Sequence, residues 1–296
     1  MTVKEHWGLS TPRQGKVPAT LAVPDTVKID SKENIGIEVE VENTIISGTI
    51  QPFWQSKQDN SLRNNGVEFV SLPIPACDAP AALKSLLEET LSSESCFSPR
   101  TSVHVHLNFL NDSTSVPTDV ILLYTVFERL FFRFVGKARI RSIYCVPLTE
   151  TDLLSQLGRK GLRVDYWQKY AGLNAKPLGS FGTLEFRHMH GTFDIQKLAI
   201  WIDLITKLKT YCVTVGTKQV RSTIASMEDA FDFNSLIKDV FGSTGEYLKY
   251  KSVEDVHYCY LMAKLGLSSQ EATANLARAL APSSPFLSLG ELSSVA

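Results

Sequence analysis

The chain has 296 residues, 44% of them hydrophobic, and 30 basic against 31 acidic side chains leave a formal net charge of −1. That is ample apolar material for one large packed domain or two small ones, and it excludes a disordered chain. The near-neutral balance gives no global signal for nucleic acid or for an anionic membrane surface, so a charged partner must be met locally.

Residues 1–30 are polar and proline-dotted and read as an N-terminal extension without an apolar core of signal-peptide length. A first strand is expected at 35–42 (IGIEVEVE) and a second at 66–72 (GVEFVSL), each alternating apolar and polar residues. A helix follows over 79–94, with Asp78 as a capping candidate and Pro80 suited to its first turn. The third strand is 102–109 (SVHVHLNF) and a second helix covers 118–135. Its apolar stretch VILLYTVFERLFFRFVG is interrupted by Glu128, Arg129 and Arg133 well short of a membrane span, so it reads as a buried helix. A fourth strand at 182–187 (GTLEFR) precedes a helix over 194–213 that starts from Asp194, helical pieces from 228 to 280, and a loose tail over 281–296. Residues 31–280 are expected to form a single domain whose C-terminal part, about 194–280, is helical. The class is α+β: a mixed or antiparallel sheet with helices against one face.

Five cysteines, at 77, 96, 145, 212 and 259, are scattered, odd in number and never in a C-x-x-C pair. They point to a reducing, cytoplasmic setting and away from a cysteine-based zinc site. Phosphate-binding loops of the G-x-x-x-x-G-K-[ST] and strand-flanked G-x-G-x-x-G kinds are absent, as is a G-x-S-x-G nucleophile turn.

The chemistry lies on the polar strand faces. In the first strand Ile35, Ile37, Val39 and Val41 share one face and Glu38, Glu40 and Glu42 the other. Glu68 opposes Val67 and Phe69, His104 and His106 oppose Val103 and Val105, and Glu185 and Arg187 oppose Leu184 and Phe186. A solvated sheet face alternates in the same way, but it normally mixes Thr, Ser, Lys and Gln. Acid concentrated across neighbouring strands is unfavourable unless a cation sits among it. Taken jointly, Glu38, Glu40, Glu68, His104 and Glu185 therefore read as a metal site, and hard carboxylate oxygens suit Mg²⁺ or Mn²⁺. A second H-x-H pair, His188 and His190, keeps a zinc or iron enzyme open. Strand phase turns that pair away with Phe186, toward structural or surface roles.

In order along residues 34–210, the motifs IGIEVEVEN, DNSLRNNGVEFVSLP, SVHVHLN, RSIYCVPL and YAGLNAKPLGSFGTLEFRHMHGTFD resemble the amidoligase family of carboxylate–amine ligases, which have a glutamine synthetase-like fold. The resemblance implies a curved, mainly antiparallel half-barrel sheet with helices on its convex side, and ATP and Mg²⁺ on its concave face. It implies Glu38, Glu40, Glu68, His104 and Glu185 as metal ligands, His106 nearer the ATP phosphates, and Arg187 as a phosphate contact. The activity implied is ATP-dependent amide formation through an acyl phosphate, from a small-molecule or peptide carboxylate and an amine, with no nucleic-acid or membrane partner. Arg141 is a further candidate for holding a carboxylate or phosphate, against a surface salt bridge. Asp59 is a candidate for placing the amine or a metal-bound water, against a simple turn. Departures stand beside the matches: Ser102 precedes the H-x-H strand where relatives often carry glycine, and the helices after 215 match nothing. The rivals are a zinc or iron enzyme using the H-x-H pairs and a non-catalytic binding domain of the same fold.

Overall fold

The computed structural model describes residues 1–227, 230–248 and 253–267. In chain order the elements are α1 (Val3–Trp7), β1 (Asn34–Val41), β2 (Trp54–Gln58), β3 (Val67–Ser71), β4 (Ile74–Pro75) and α2 (Ala79–Leu87). There follow β5 (Ser102–Asn108), α3 (Ser115–Val135), α4 (Lys137–Ile140), α5 (Leu153–Lys160), β6 (Leu173–Asn174) and α6 (Leu178–Phe181). The last elements are β7 (Thr183–His190), α7 (Ile195–Ser226), α8 (Ala230–Phe241) and α9 (Val253–Leu265). Residues 268–280 of the expected helical region and the 281–296 tail lie outside the described residues.

The four alternating segments become the centre of one open sheet, ordered β2-β3-β1-β5-β7-β6 with β4 also beside β1, and every ladder is antiparallel. β3 and β4 run along the same side of β1, interrupted at Leu72 and Pro73. Proline has no amide to donate there, and the Ile37 amide turns instead to Ser71 Oγ at 2.9 Å. The apolar faces of β1, β5 and β7 are buried, with α3 against β7 and α7 against β5, and the two helices also pack on each other. Trp201 of α7 sits edge-on to Phe131 of α3 and Phe186 of β7 and seals the helix layer onto the sheet. Among the described residues no helix is long and apolar enough to cross a membrane.

Several elements escape a pattern search. β2 (WQSKQ) buries only Trp54, so it has no alternation, and β4 and β6 are two residues each. α2 stops at Leu87 rather than 94, since the chain turns and Leu91 bridges back to Ile46. Asp78 makes no capping hydrogen bond because a 3-10 turn over Ala76–Asp78 feeds the helix directly. Asp194 does cap α7, its Oδ1 accepting from the Lys197 amide at 2.9 Å. α7 runs beyond 213 but breaks at Gly216, whose φ of 77° only glycine adopts without strain.

The N-terminal extension is docked. Val3 is fully buried, its amide donates to the Asp112 carbonyl at 2.9 Å, and the Gly15 amide donates to the carbonyl of Pro73 at 2.9 Å. A side chain at Gly15 would meet Leu72 and Phe53 at 3.0 Å, so the segment lies flat against the sheet edge. This brings residues 10–14 over one end of the polar face.

Candidate metal centre

Register brings the acidic residues together. Glu38 of β1 stands opposite His104 of β5, and Glu40 stands opposite Glu68 of β3. On the other side of β5, His106 pairs with Glu185 of β7, and Glu185 pairs in turn with Asn174 of β6. Beyond this point β7 bulges: Val105 pairs with Phe186 and Val103 with Met189, so Arg187 and His188 together oppose His104. The extra residue sends the two side chains to opposite faces.

Arg187 joins the carboxylates. Its guanidinium makes a close ion pair with Glu185, its Nε donates to the Tyr144 carbonyl at 3.4 Å, and Asn174 Nδ2 holds the other Glu185 oxygen at 2.6 Å. His188 enters the helix layer, where its Nε2 lies 2.6 Å from the Tyr124 hydroxyl, itself donating to Glu128 at 2.7 Å. Glu128 also accepts from the amides of Leu148 and Thr149 and pins the following loop. His190 is half-buried beside Lys197 and the Val135 carbonyl. Neither histidine of the second H-x-H pair makes a contact with the carboxylate cluster.

Among the described residues, ligand-type atoms gather in two groups, the atoms of each within 4.8 Å of one another: Glu38 with His104 and Glu185, and Glu40 with Asp59 and Glu68. Proton bookkeeping shows what the first group faces. Ser102 Oγ lies 2.7 Å from Glu40 Oε2 and 2.7 Å from His104 Nε2. The carboxylate takes the single hydroxyl hydrogen, so the oxygen accepts Nε2–H of His104. That leaves His104 Nδ1 at 3.1 Å from Glu38 Oε2 and 3.3 Å from Glu185 Oε1. Between two carboxylates that nitrogen calls for a positive partner, either its own proton or a metal cation. The donor set of one imidazole nitrogen and two carboxylates therefore fits a divalent ion. Glu40, Ser102 and His104 form the hydrogen-bonded chain that links it to the all-carboxylate second group.

The neighbouring charges set how readily each carboxyl ionises. Burial opposes ionisation of Glu38, yet its close contacts with His104 and His106 and their charge outweigh it and hold the carboxyl far below the usual range. Glu185 is likewise held low against its burial by His104, His106 and Arg187. Glu68 is pushed up by burial and by Glu38 and Glu40, with Lys57 opposing. His106, despite burial, is raised by Glu38 and Glu185. Its Nε2 is 3.1 Å from Glu38 Oε1 but off the line of a hydrogen bond, while Nδ1 meets Thr183 Oγ1 at 3.0 Å.

Of the residues singled out in the sequence, Glu38, Glu40, Asp59, Glu68, His104, His106, Glu185 and Arg187 form one continuous patch. Arg141 is exposed and makes none of these contacts. The buried arginine is Arg139, whose Nε and Nη2 donate to the carbonyls of His188 and Arg187 at 2.9 and 2.6 Å and brace the bulge. Glu42, in phase with Glu38 and Glu40, instead accepts the Arg63 amide at 3.0 Å and holds the 59–66 loop that carries Asp59. Ser102, Asn174, Thr183, Arg139 and Lys57 were not singled out as site residues. None sits in a motif of its own, and Lys57 rides on the unalternating β2, where it faces Glu68.

No family model matches the chain, and no curated protein matches it. Among solved structures, that of a novel glutamine synthase homolog aligns over 85% of this chain and 68% of its own at 13% identity, with a TM-score of 0.32. A TM-score that low does not establish a shared fold.

Proposed function

We propose that the chain is an ATP-dependent carboxylate–amine ligase that forms an amide through an acyl phosphate, with Mg²⁺ or Mn²⁺ on its Glu/His face. The observation that carries the proposal is the pair of adjoining oxygen-rich groups, one with His104 Nδ1 aimed between Glu38 and Glu185, beside the guanidinium of Arg187. The ordered motif resemblance to amidoligases supports it. In this reading the sheet is the curved half-barrel of a glutamine synthetase-like fold with helices on its convex side. Five free cysteines fit a reducing, cytoplasmic setting.

Glu38, His104 and Glu185 would hold one ion and Glu40, Asp59 and Glu68 a second. Bound there, the ions would supply positive charge to the polyphosphate and to the phosphoryl group in transfer. Arg187 stabilises charge on that group, oriented by Glu185, the Tyr144 carbonyl and the backbone that Arg139 braces. His106, steadied by Thr183, donates toward the phosphates. A substrate carboxylate oxygen attacks the γ-phosphorus and the bond to ADP breaks. The amine nitrogen then attacks the acyl carbon, inorganic phosphate leaves, and Asp59 receives the amine's proton or places the amine. Arg141 takes no part.

The test is ADP release from ATP and Mg²⁺ with pools of carboxylates, alongside zinc and iron analysis of the same sample. Carboxylate-dependent ADP release from a protein poor in tightly bound zinc or iron is expected. Stoichiometric zinc or iron that survives chelation, with no carboxylate-dependent release, promotes the rival metalloenzyme built on His104 and His106.

A further inference from the structure

A cavity of about 390 Å³ adjoins the carboxylate cluster at the end of the polar face where β1 begins. Its floor is Gly36, Glu38, His106 and Thr183, its roof is the docked segment 10–14, and Phe181 hangs at its mouth with 66% of its surface exposed. Most of its wall is apolar, from Pro12, Val70, Pro73, Leu110 and Phe181. Such a volume and lining are those of a small-molecule site, about 300 to 1,000 Å³ and largely hydrophobic with a few placed polar groups.

The polar groups set the orientation of what enters. Among the described residues that line the cavity, Lys57 is the one lysine or arginine, and Glu38 and His106 are shared with the metal centre. One cation beside a candidate divalent-ion site suits a single carboxylate. It does not suit a chain of phosphates, which needs several cationic partners. Arg187 is outside the wall, two residues beyond Glu185 along β7, and lies against the Tyr170 ring and the Tyr144 carbonyl instead. Gly36 leaves the floor open: it shares a face with Glu38, and a Cβ there would meet only the His106 Cβ, at 3.5 Å.

We propose that this cavity takes the organic body of the acid substrate, a carboxylic acid with an apolar, ring-sized side group, its carboxylate turned toward Lys57 and the ion that Glu38 would hold. The N-terminal segment Ser10–Gln14 is then the wall that sets specificity. The assignment rests on the ligase reading for its use of the acid, while the cavity itself needs no turnover to be tested.

The probe is 4-phenylbutyrate, titrated calorimetrically with Mg²⁺ present and compared with its uncharged amide and with adenosine. Saturable one-to-one binding of the acid is expected, weaker by about threefold for the amide, and that difference should vanish in Lys57→Gln. Gly36→Leu fills the cavity and should weaken binding by at least about tenfold. Phe181→Asp, at an exposed position that leaves folding intact, should weaken the acid more than the amide. Mn²⁺ binding should persist in both. Unchanged acid binding in Phe181→Asp and in folded Gly36→Leu overturns the proposal, as does binding of adenosine in place of the acid. Loss of Mn²⁺ binding in the unaltered protein with acid binding intact overturns the ligase reading and leaves the cavity standing.

Discussion

Glu68→Gln should make the metal-free protein more stable and its metal response weaker. Glu68 faces Glu40 across the β1–β3 ladder, and oxygens of Glu40, Asp59 and Glu68 lie within 4.8 Å of one another. At an effective dielectric constant near 20, unit charges at that separation repel by about 3 kcal/mol. Glu68 is only half-buried, and screening reduces this to about 1 kcal/mol. Burial and the neighbouring carboxylates already push its carboxyl up, which is the same repulsion seen from the proton's side. Removing the charge should therefore raise the melting temperature in chelator by about 2 to 4 °C. In the unaltered protein, Mn²⁺ at ten times its dissociation constant adds about 1.4 kcal/mol, and the variant should gain distinctly less at the same concentration. Thermal unfolding in chelator and across a MnCl₂ series reads both effects. A lower melting temperature in chelator, or an equal Mn²⁺ response, would refute the placement of a cation among these carboxylates.

Glu185→Gln and His104→Ala should abolish ATP turnover with the fold retained, whereas Val105→Ala, on the buried face, should cost about 2 kcal/mol of stability and leave chemistry in place. Turnover and melting temperature for the three variants decide it, and an active Glu185→Gln would mean the site lies elsewhere. Ser102→Ala removes the link between Glu40 and His104 and should weaken Mn²⁺ binding by about 10- to 100-fold, measured by Mn²⁺ electron paramagnetic resonance; unaltered affinity would show that the link does not orient the ligand. Burial and the charge of Arg139 keep His188 neutral in the fold, with its pKa well below the ordinary value. The unfolded chain takes up that proton below about pH 6.5 while the folded chain does not, so stability present above that pH is lost toward pH 5 at up to about 1.4 kcal/mol per unit. Urea melts at pH 7.5 and 5.5 should show a shallower loss in His188→Gln; an equal loss would contradict a neutral His188.

The central strands and the face they present were legible because Val and Ile alternate with Glu and His at period 2, and a one-residue slip would bury three carboxylates. The same rule failed where the backbone departs from it. The bulge at Arg187 and His188 puts two core residues, His188 and Met189, in succession, and alternation alone ends the strand before them. β2 was invisible because an edge strand with four exposed residues carries no apolar period, and Lys57 was missed with it. Ser102 and Asn174 act only through partners that folding brings from another strand, Glu40 for Ser102 and Glu185 for Asn174. Arg141 attracted notice beside its own motif, whereas the arginine that the fold uses is Arg139, two residues earlier, which reaches the backbone of β7.

Trapping the activated acid tests the ligase reading most directly. The protein is incubated with ATP, Mg²⁺, hydroxylamine and pools of carboxylic acids that include ring-bearing ones, with Glu185→Gln in parallel. Hydroxamate should form in step with ADP in at least one pool, depend on Mg²⁺ or Mn²⁺, and disappear in Glu185→Gln. ADP release that no carboxylate in any pool stimulates, with no hydroxamate formed, would contradict amide formation through an acyl phosphate.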